Sequence, residues 1–191
     1  MRIFAAIGVT PEIKAKVLEV QEQLKTARAE VRWVAMENFH LTLHFCGEVT
    51  EKQVGDIIST CKGIAFETAP FVLEIKYLGT FPPYGDPRII WTGVEKGREE
   101  AITLIEATKR HLTLVTGNTE KKDISPHLTI GRIKNDKNIA VLTTQLHKMA
   151  NLGFGEQVVD KILIMESRLG PTGPVYKTLE EITIEKGGAK K

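Results

Sequence analysis

The pattern His-x-Thr-x occurs twice inside apolar, strand-like runs of this 191-residue chain, as His40-Leu41-Thr42-Leu43 and as His127-Leu128-Thr129-Ile130. A strand alternates its side chains between two faces, so residues two apart share a face. Each word therefore sends one imidazole and one hydroxyl to one surface. Leu41, Leu43, Leu128 and Ile130 go to the other surface, where they face a core and hold the strands rigid. Two such strands can bring two imidazoles and two hydroxyls to one cleft.

The remaining punctuation fills in the architecture. Residues 3–7 read as a first strand. Thr10-Pro11 reads as a helix start, a capping hydroxyl followed by proline in the first turn, and Ile13, Val17, Val20 and Leu24 follow at helical spacing to about residue 28. Residues 31–34 and 40–45 read as strands. Thr50 and Gln53 have capping-box spacing ahead of a helix carrying Val54, Ile57, Ile58 and Cys61 on one face. Strands at 71–78 and 88–92 flank a turn-rich loop, Phe81-Pro82-Pro83-Tyr84-Gly85-Asp86-Pro87. A helix over 97–112, a strand to 133, a helix over 137–149 and strands at 157–165 and 175–185 complete the order. Residues 170–174 read as a turn and 186–191 as a frayed tail. The expected class is α+β: a bilobal fold over residues 1–185, with two pseudo-symmetric antiparallel sheets, helices outside, a central cleft and interleaved halves.

Composition narrows the partners. The net charge of +2 permits an anionic ligand without predicting one. Cys46 and Cys61 are the two cysteines, in no Cys-x-x-Cys pair or His/Cys cluster, so neither a zinc site nor a disulfide framework is expected. The apolar opening run stops at Thr10-Pro11-Glu12, too short for a secretory segment, and no run approaches a membrane span. A cytoplasmic protein, with no membrane partner and no cofactor, is the expectation.

Two histidines on opposite sides of a phosphorus atom make a general base and a general acid. The base takes a proton from attacking water or a hydroxyl, and the acid gives one to the departing oxygen. The threonine hydroxyls can donate to the non-bridging oxygens, where charge accumulates. No paired carboxylates of the kind that hold magnesium or manganese are evident, and no metal is expected.

At these residues the chain resembles the 2H phosphoesterase superfamily, and within it the RNA 2′,3′-cyclic phosphodiesterases, long called 2′-5′ RNA ligases. The similarity runs through residues 1–7, Asn38 to Val49, Pro87 to Trp91, Pro126 to Arg132, Ser167-Arg168-Leu169 and Gly173-Pro174-Val175-Tyr176. A monomer is the expectation; the resemblance implies a bilobal fold with a central cleft. It implies an RNA substrate, tRNA-like, with a 2′,3′-cyclic phosphate end that is opened to a 2′-phosphate. Carried onto this chain, it makes His40 the proton donor to the leaving 3′ oxygen and His127 the acceptor that activates water. The symmetry of the two words does not choose between those roles.

Other side chains carry weaker expectations. Arg132 can clamp a phosphate, but strict alternation puts it opposite His127 and Thr129, and only a bulge or the strand's end brings it to the cleft. Arg88, at a loop-to-strand junction, is a candidate for phosphate or backbone contact. Tyr84 and Phe81 are candidates to stack a terminal base, or to pack their loop. His44 shares the His40 face by alternation but lies about 13 Å farther along the strand. His111 and His147 fall near expected helix ends. Trp33 and Trp91 read as core or lobe-interface residues. Lys121-Lys122 and residues 134–137 read as solvated loop charge or a basic rim for RNA.

Four functions stay open on the residues alone. Hydrolysis of a cyclic phosphate and 2′-5′ joining of tRNA halves use the same acid and base. A non-catalytic RNA-binding module would not need the four polar residues intact. A small-nucleotide esterase would need them, with a different substrate.

Overall fold

The apolar run that opens the chain forms β1 (Arg2–Gly8), and proline at the start of the next segment begins α1 (Pro11–Lys25). This computed structural model describes residues 1–119, 124–170 and 173–185. β2 (Val31–Trp33) and a single 3-10 turn at Met36–Asn38 lead to β3 (His40–Glu48), which carries the first word. Then come α2 (Glu51–Glu67), β4 (Phe71–Phe81), β5 (Ile89–Val94) and α3 (Arg98–Thr116). The second word enters β6 (Leu128–Ile133), followed by α4 (Ile139–Lys148), β7 (Gly153–Val159), β8 (Lys161–Gly170) and β9 (Gly173–Thr183).

The strands pair antiparallel in the order β7-β4-β5-β6-β3-β1-β8-β9, with β2 beside β6. One arm, β7-β4-β5-β6, takes strands from the middle of the chain. The other, β3-β1-β8-β9, takes them from both ends, so the lobes interleave. The two sheets expected from sequence are these two arms, and they are continuous: Leu41 on β3 pairs with Leu128 on β6. α2 and α3 pack on each other and over β3, β8 and β9, while α1 and α4 pack over β7 and β4. The apolar cluster between helices and sheet holds most of the core. A smaller cluster, Phe4, Ala6 and Met165 with Leu163 and Tyr176, lies apart from it.

Thr50 and Gln53 make the expected capping box, each side chain taking up the other's backbone N–H. Such a cap stabilises a helix by about 1 kcal/mol. Thr10 does not cap α1 with its hydroxyl. Its backbone N–H donates to Gln157 Oε1 at 3.0 Å, and Gln157 Nε2 donates to the Gly8 carbonyl at 2.8 Å, tying β7 to the turn between β1 and α1. The single strand expected over 157–165 is two strands, broken at Asp160, with β7 beginning four residues earlier. α3 runs to Thr116, so His111 lies inside it, whereas His147 does occupy the last turn of α4. Lys121, Lys122, part of the 170–174 turn and the 186–191 tail lie outside the described residues. Among the described residues no helix is long and apolar enough to cross a membrane.

Candidate active site

The four polar residues of the two words line one cavity of about 560 Å³. Their meeting follows from the seam. Leu41 and Leu128 are fully buried partners, so the two words run antiparallel, side by side. The same register, continued one residue each way, sets His40 beside Thr129 and Thr42 beside His127. The two histidines then stand on a diagonal, a spacing of about 7–8 Å in a regular ladder. That leaves room for a tetrahedral group between the rings.

Both imidazoles are held the same way. His40 Nδ1 donates to the Asn38 carbonyl at 2.8 Å, and His127 Nδ1 donates to the Ser125 carbonyl at 2.6 Å. A carbonyl only accepts, so Nδ1 keeps its hydrogen in either charge state, and Nε2 is the atom that gains and loses a proton. His40 Nε2 also lies 3.0 Å from Thr42 Oγ1. Aromatic neighbours fix the ring planes. His40 lies 4.9 Å from Phe4 and meets Tyr176 edge-on at 5.3 Å. His127 meets Phe81 edge-on at 5.1 Å, and Phe81 is stacked on Trp91 at 5.1 Å. The Trp91 indole lies so close over Gly79 that a Cβ there would collide with it.

Each word ends in a β-bulge. On β3 the pairing with β1 steps from Ala5–His44 to Ala6–Thr42, leaving Leu43 as the extra residue. On β6 the pairing with β5 steps from Ile90–Gly131 to Trp91–Thr129, leaving Ile130 as the extra residue. These are the fourth letters of the two words. A bulge re-aims every side chain beyond it. Arg132, which unbroken alternation would turn away, therefore lines the cavity, and so does Phe45. His44 is buried, and it too is one of the residues that line the cavity.

The second bulge is pinned from below. Gln21 on α1 is buried, and its Nε2 donates to the Ile130 carbonyl at 2.8 Å and to the Val34 carbonyl at 2.9 Å. Trp33 covers Gly131 so closely that a Cβ there would sit 3.1 Å from the ring and 2.8 Å from Val31. Nothing in the linear pattern singles out Gln21, because it occupies an ordinary apolar position of the helix. Its one sequence signal is a polar residue next to Val20 on the buried stripe.

The other candidates divide. Trp33 lines the cavity with Arg132, whereas Arg88 and Tyr84 are not part of its wall, and Tyr84 is 89% exposed on the β4–β5 loop. Arg88 anchors that loop through its backbone, its N–H donating to Phe81 and its carbonyl accepting from Ile133, both at 2.8 Å. Phe81 supports His127 rather than standing free. Sequence reasoning missed Arg32, Lys109 and Tyr176 as cleft residues, and Asn38, whose Nδ2 donates to the Pro174 carbonyl at 2.8 Å.

Burial holds His40 below the usual histidine range; the Asn38 carbonyl opposes this, and the charges of His127 and Lys14 add to it. Burial raises the Tyr176 phenol, against the pull of Arg132, Arg2 and Arg32, so it carries its proton. Among the described residues no three His, Cys, Asp or Glu side chains converge as a metal-binding group. The arrangement can hold an anionic tetrahedral centre between two imidazole Nε2 atoms, with hydroxyl donors beside them.

A profile of the family described as LigT like phosphoesterase matches residues 7–91. The RNA 2′,3′-cyclic phosphodiesterase of Aeropyrum pernix is 33% identical, over 91% of this chain and 97% of its own. That of Thermotoga maritima is 36% identical, over 98% of this chain and 97% of its own. Among solved structures, TT0787 of Thermus thermophilus has a TM-score of 0.82 at 27% identity, covering 97% of this chain and 99% of that one. E. coli LigT crystallised with 3′-AMP shares the fold, with a TM-score of 0.75 at 18% identity over 97% and 98% of the two chains.

Proposed function

This chain belongs to the LigT-like phosphoesterases, and from that premise we propose that it opens the 2′,3′-cyclic phosphate at the end of an RNA to a 2′-phosphate. The observation that carries the reading is the matched pair of imidazoles. Each is fixed through Nδ1 by the carbonyl two residues upstream, and both line one cavity with their threonines.

In this reading, water attacks phosphorus from the His127 side. Its proton passes to His127 Nε2 as the new P–O bond forms. The bond from phosphorus to O3′ breaks, and His40 Nε2–H protonates O3′. The product is a 2′-phosphomonoester beside a free 3′-hydroxyl. Thr42 and Thr129 donate to the non-bridging oxygens, which carry the growing charge. Arg132 supplies a guanidinium fork to the same phosphate or its neighbour.

Burial disfavours a charged His40, yet an acid must start protonated. An anionic phosphate resolves this, because a negative charge beside His40 favours its protonated form. The choice of His40 as acid and His127 as base follows the family resemblance, and the order of the two is a property of the bound complex.

The test is product identity. An oligonucleotide ending in a 2′,3′-cyclic phosphate is incubated with the protein, with and without a partner bearing a 5′-hydroxyl. A 2′-phosphate end in both samples is expected. A 3′-phosphate end, or a joined product in place of hydrolysis, contradicts the proposal.

A further inference from the structure

The cleft holds one charge arrangement that opening a cyclic phosphate does not require. Arg32 on β2 stands directly opposite Arg132 on β6. Like charges directly opposite one another on neighbouring strands are destabilising. Both side chains are exposed, both line the cavity, and among the described residues neither is held by a carboxylate in a salt bridge. The bulge at Ile130 creates the juxtaposition, since it turns Arg132 toward the cleft, and the ladder from Trp33–Gly131 to Val31–Ile133 then puts Arg32 beside it. Tyr176, on the far wall, feels the positive fields of both guanidiniums. The fold thus maintains two adjacent cations that an anion would relieve.

Arg132 lies three residues from Thr129 on the same strand, within reach of the phosphate between the histidines. Arg32 lies one strand farther out, about 5 Å. A 2′,3′-cyclic mononucleotide offers one phosphate to this pair. The end of an RNA chain offers two, because the 5′ oxygen of its last nucleoside carries the preceding phosphodiester.

We propose that Arg32 is a second anion site of the cleft, holding the phosphodiester on the 5′ side of the terminal nucleotide, so that the protein selects a polynucleotide end over a cyclic mononucleotide. The inference rests on the hydrolase reading above. It adds that the chain measures its substrate by a charge the reaction never touches, and that Arg32 sets specificity through KM.

The experiment compares three substrates: a 2′,3′-cyclic mononucleotide, a dinucleotide with the same cyclic end, and that dinucleotide with an uncharged methylphosphonate linkage. The wild-type protein should open the charged dinucleotide with about tenfold higher kcat/KM than the other two. Arg32→Ala should lose most of that advantage, at least three times more on the charged dinucleotide than on the neutral one, with the change in KM. Arg32→Lys should keep part of it. The slope of log KM against log salt for the charged dinucleotide should be shallower in Arg32→Ala than in the wild type, one phosphate contact having been lost. Equal wild-type kcat/KM for charged and neutral linkages overturns the proposal, whatever becomes of the variants. So does an equal loss on all three substrates.

Failure of the hydrolase reading looks different: none of the three substrates is opened. Binding of fluorescent charged and neutral dinucleotides by anisotropy then decides the subsite alone. Tighter binding of the charged form, reduced in Arg32→Ala, supports it, and equal affinities overturn it.

Discussion

Leu41 and Leu128, the second letters of two words 87 positions apart, face each other across the seam between the arms of the sheet. The two histidines and two threonines of the candidate site are set by that contact. It runs the words antiparallel, which crosses each histidine with the other word's threonine and points all four toward one cavity. Both leucines are wholly buried on the helix side, so the register is held by the core and not by the site.

Shortening either leucine should therefore damage stability and geometry together. Leu41→Ala and Leu128→Ala are each expected to cost about 2–5 kcal/mol, the range for buried leucine truncation. Urea denaturation reads the stability. Single-turnover hydrolysis of a cyclic-phosphate oligonucleotide should fall in the same variants under conditions where they remain folded.

Removing the proton-transfer groups should leave the fold intact and abolish the chemistry. His40→Ala and His127→Ala are each expected to lower kcat by about 10²–10⁴, the usual worth of a positioned acid or base. Thr42→Val and Thr129→Val should lower kcat by about 10²–10³, comparable with loss of one oxyanion donor. Circular dichroism should match the wild type in all four. Unchanged turnover in either histidine variant refutes the paired-imidazole mechanism.

The pH dependence carries a signed prediction. If His40 is the acid, activity is lost as pH rises through its pKa, so it defines the alkaline limb. In the free protein that pKa is held down, first by burial and then by the nearby charges of His127 and Lys14. Bound phosphate raises it. The alkaline limb of kcat/KM, which reports the free protein, should lie at lower pH than the alkaline limb of kcat, which reports the complex. Coincident limbs, or the reverse order, argue that His40 is not the acid.

Gln21 tests whether the bulge matters. Replacing it with methionine conserves volume but leaves the Val34 carbonyl without its donor and takes one of two donors from Ile130, the other being Val34 N–H at 3.0 Å. The expected loss is about 1–3 kcal/mol of stability. A drop in kcat with little change in KM is expected beside it, since Thr129 precedes the bulge and would lose its position. Gln21→Glu can accept but not donate in its charged form, and should be no better.

Chelation supplies a control on the chemistry. With protons moved by imidazoles and charge met by hydroxyls, an EDTA-treated sample should turn over at the untreated rate. A loss restored by a divalent ion would contradict the proposed mechanism.

The sequence carries the site further than it carries the sheet. The words, the capping box at Thr50 and Gln53, and most helices are local patterns, and local patterns survive into the structure. Failures lie where long-range pairing overrides the local period. Alternation assigns faces to Phe45 and Arg132 that the bulges at Leu43 and Ile130 reverse, and a bulge depends on the partner strand, not on its own residues. The break at Asp160 is hidden by the same apolar alternation on both sides of it. Arg32 reads as an ordinary surface charge until β2 is laid against β6. Gln21 looks like one more helix residue until the two carbonyls it serves are known, 13 and 109 positions away.

The bulges also break a symmetry. Five positions after each histidine the same backbone irregularity turns a side chain into the groove, and it is a benzene ring in one copy and a guanidinium in the other, Phe45 and Arg132. A near-twofold pair of proton carriers is thereby given unlike flanks, one greasy and one cationic. A polymer has a direction, and a groove with unlike flanks can tell its two senses apart.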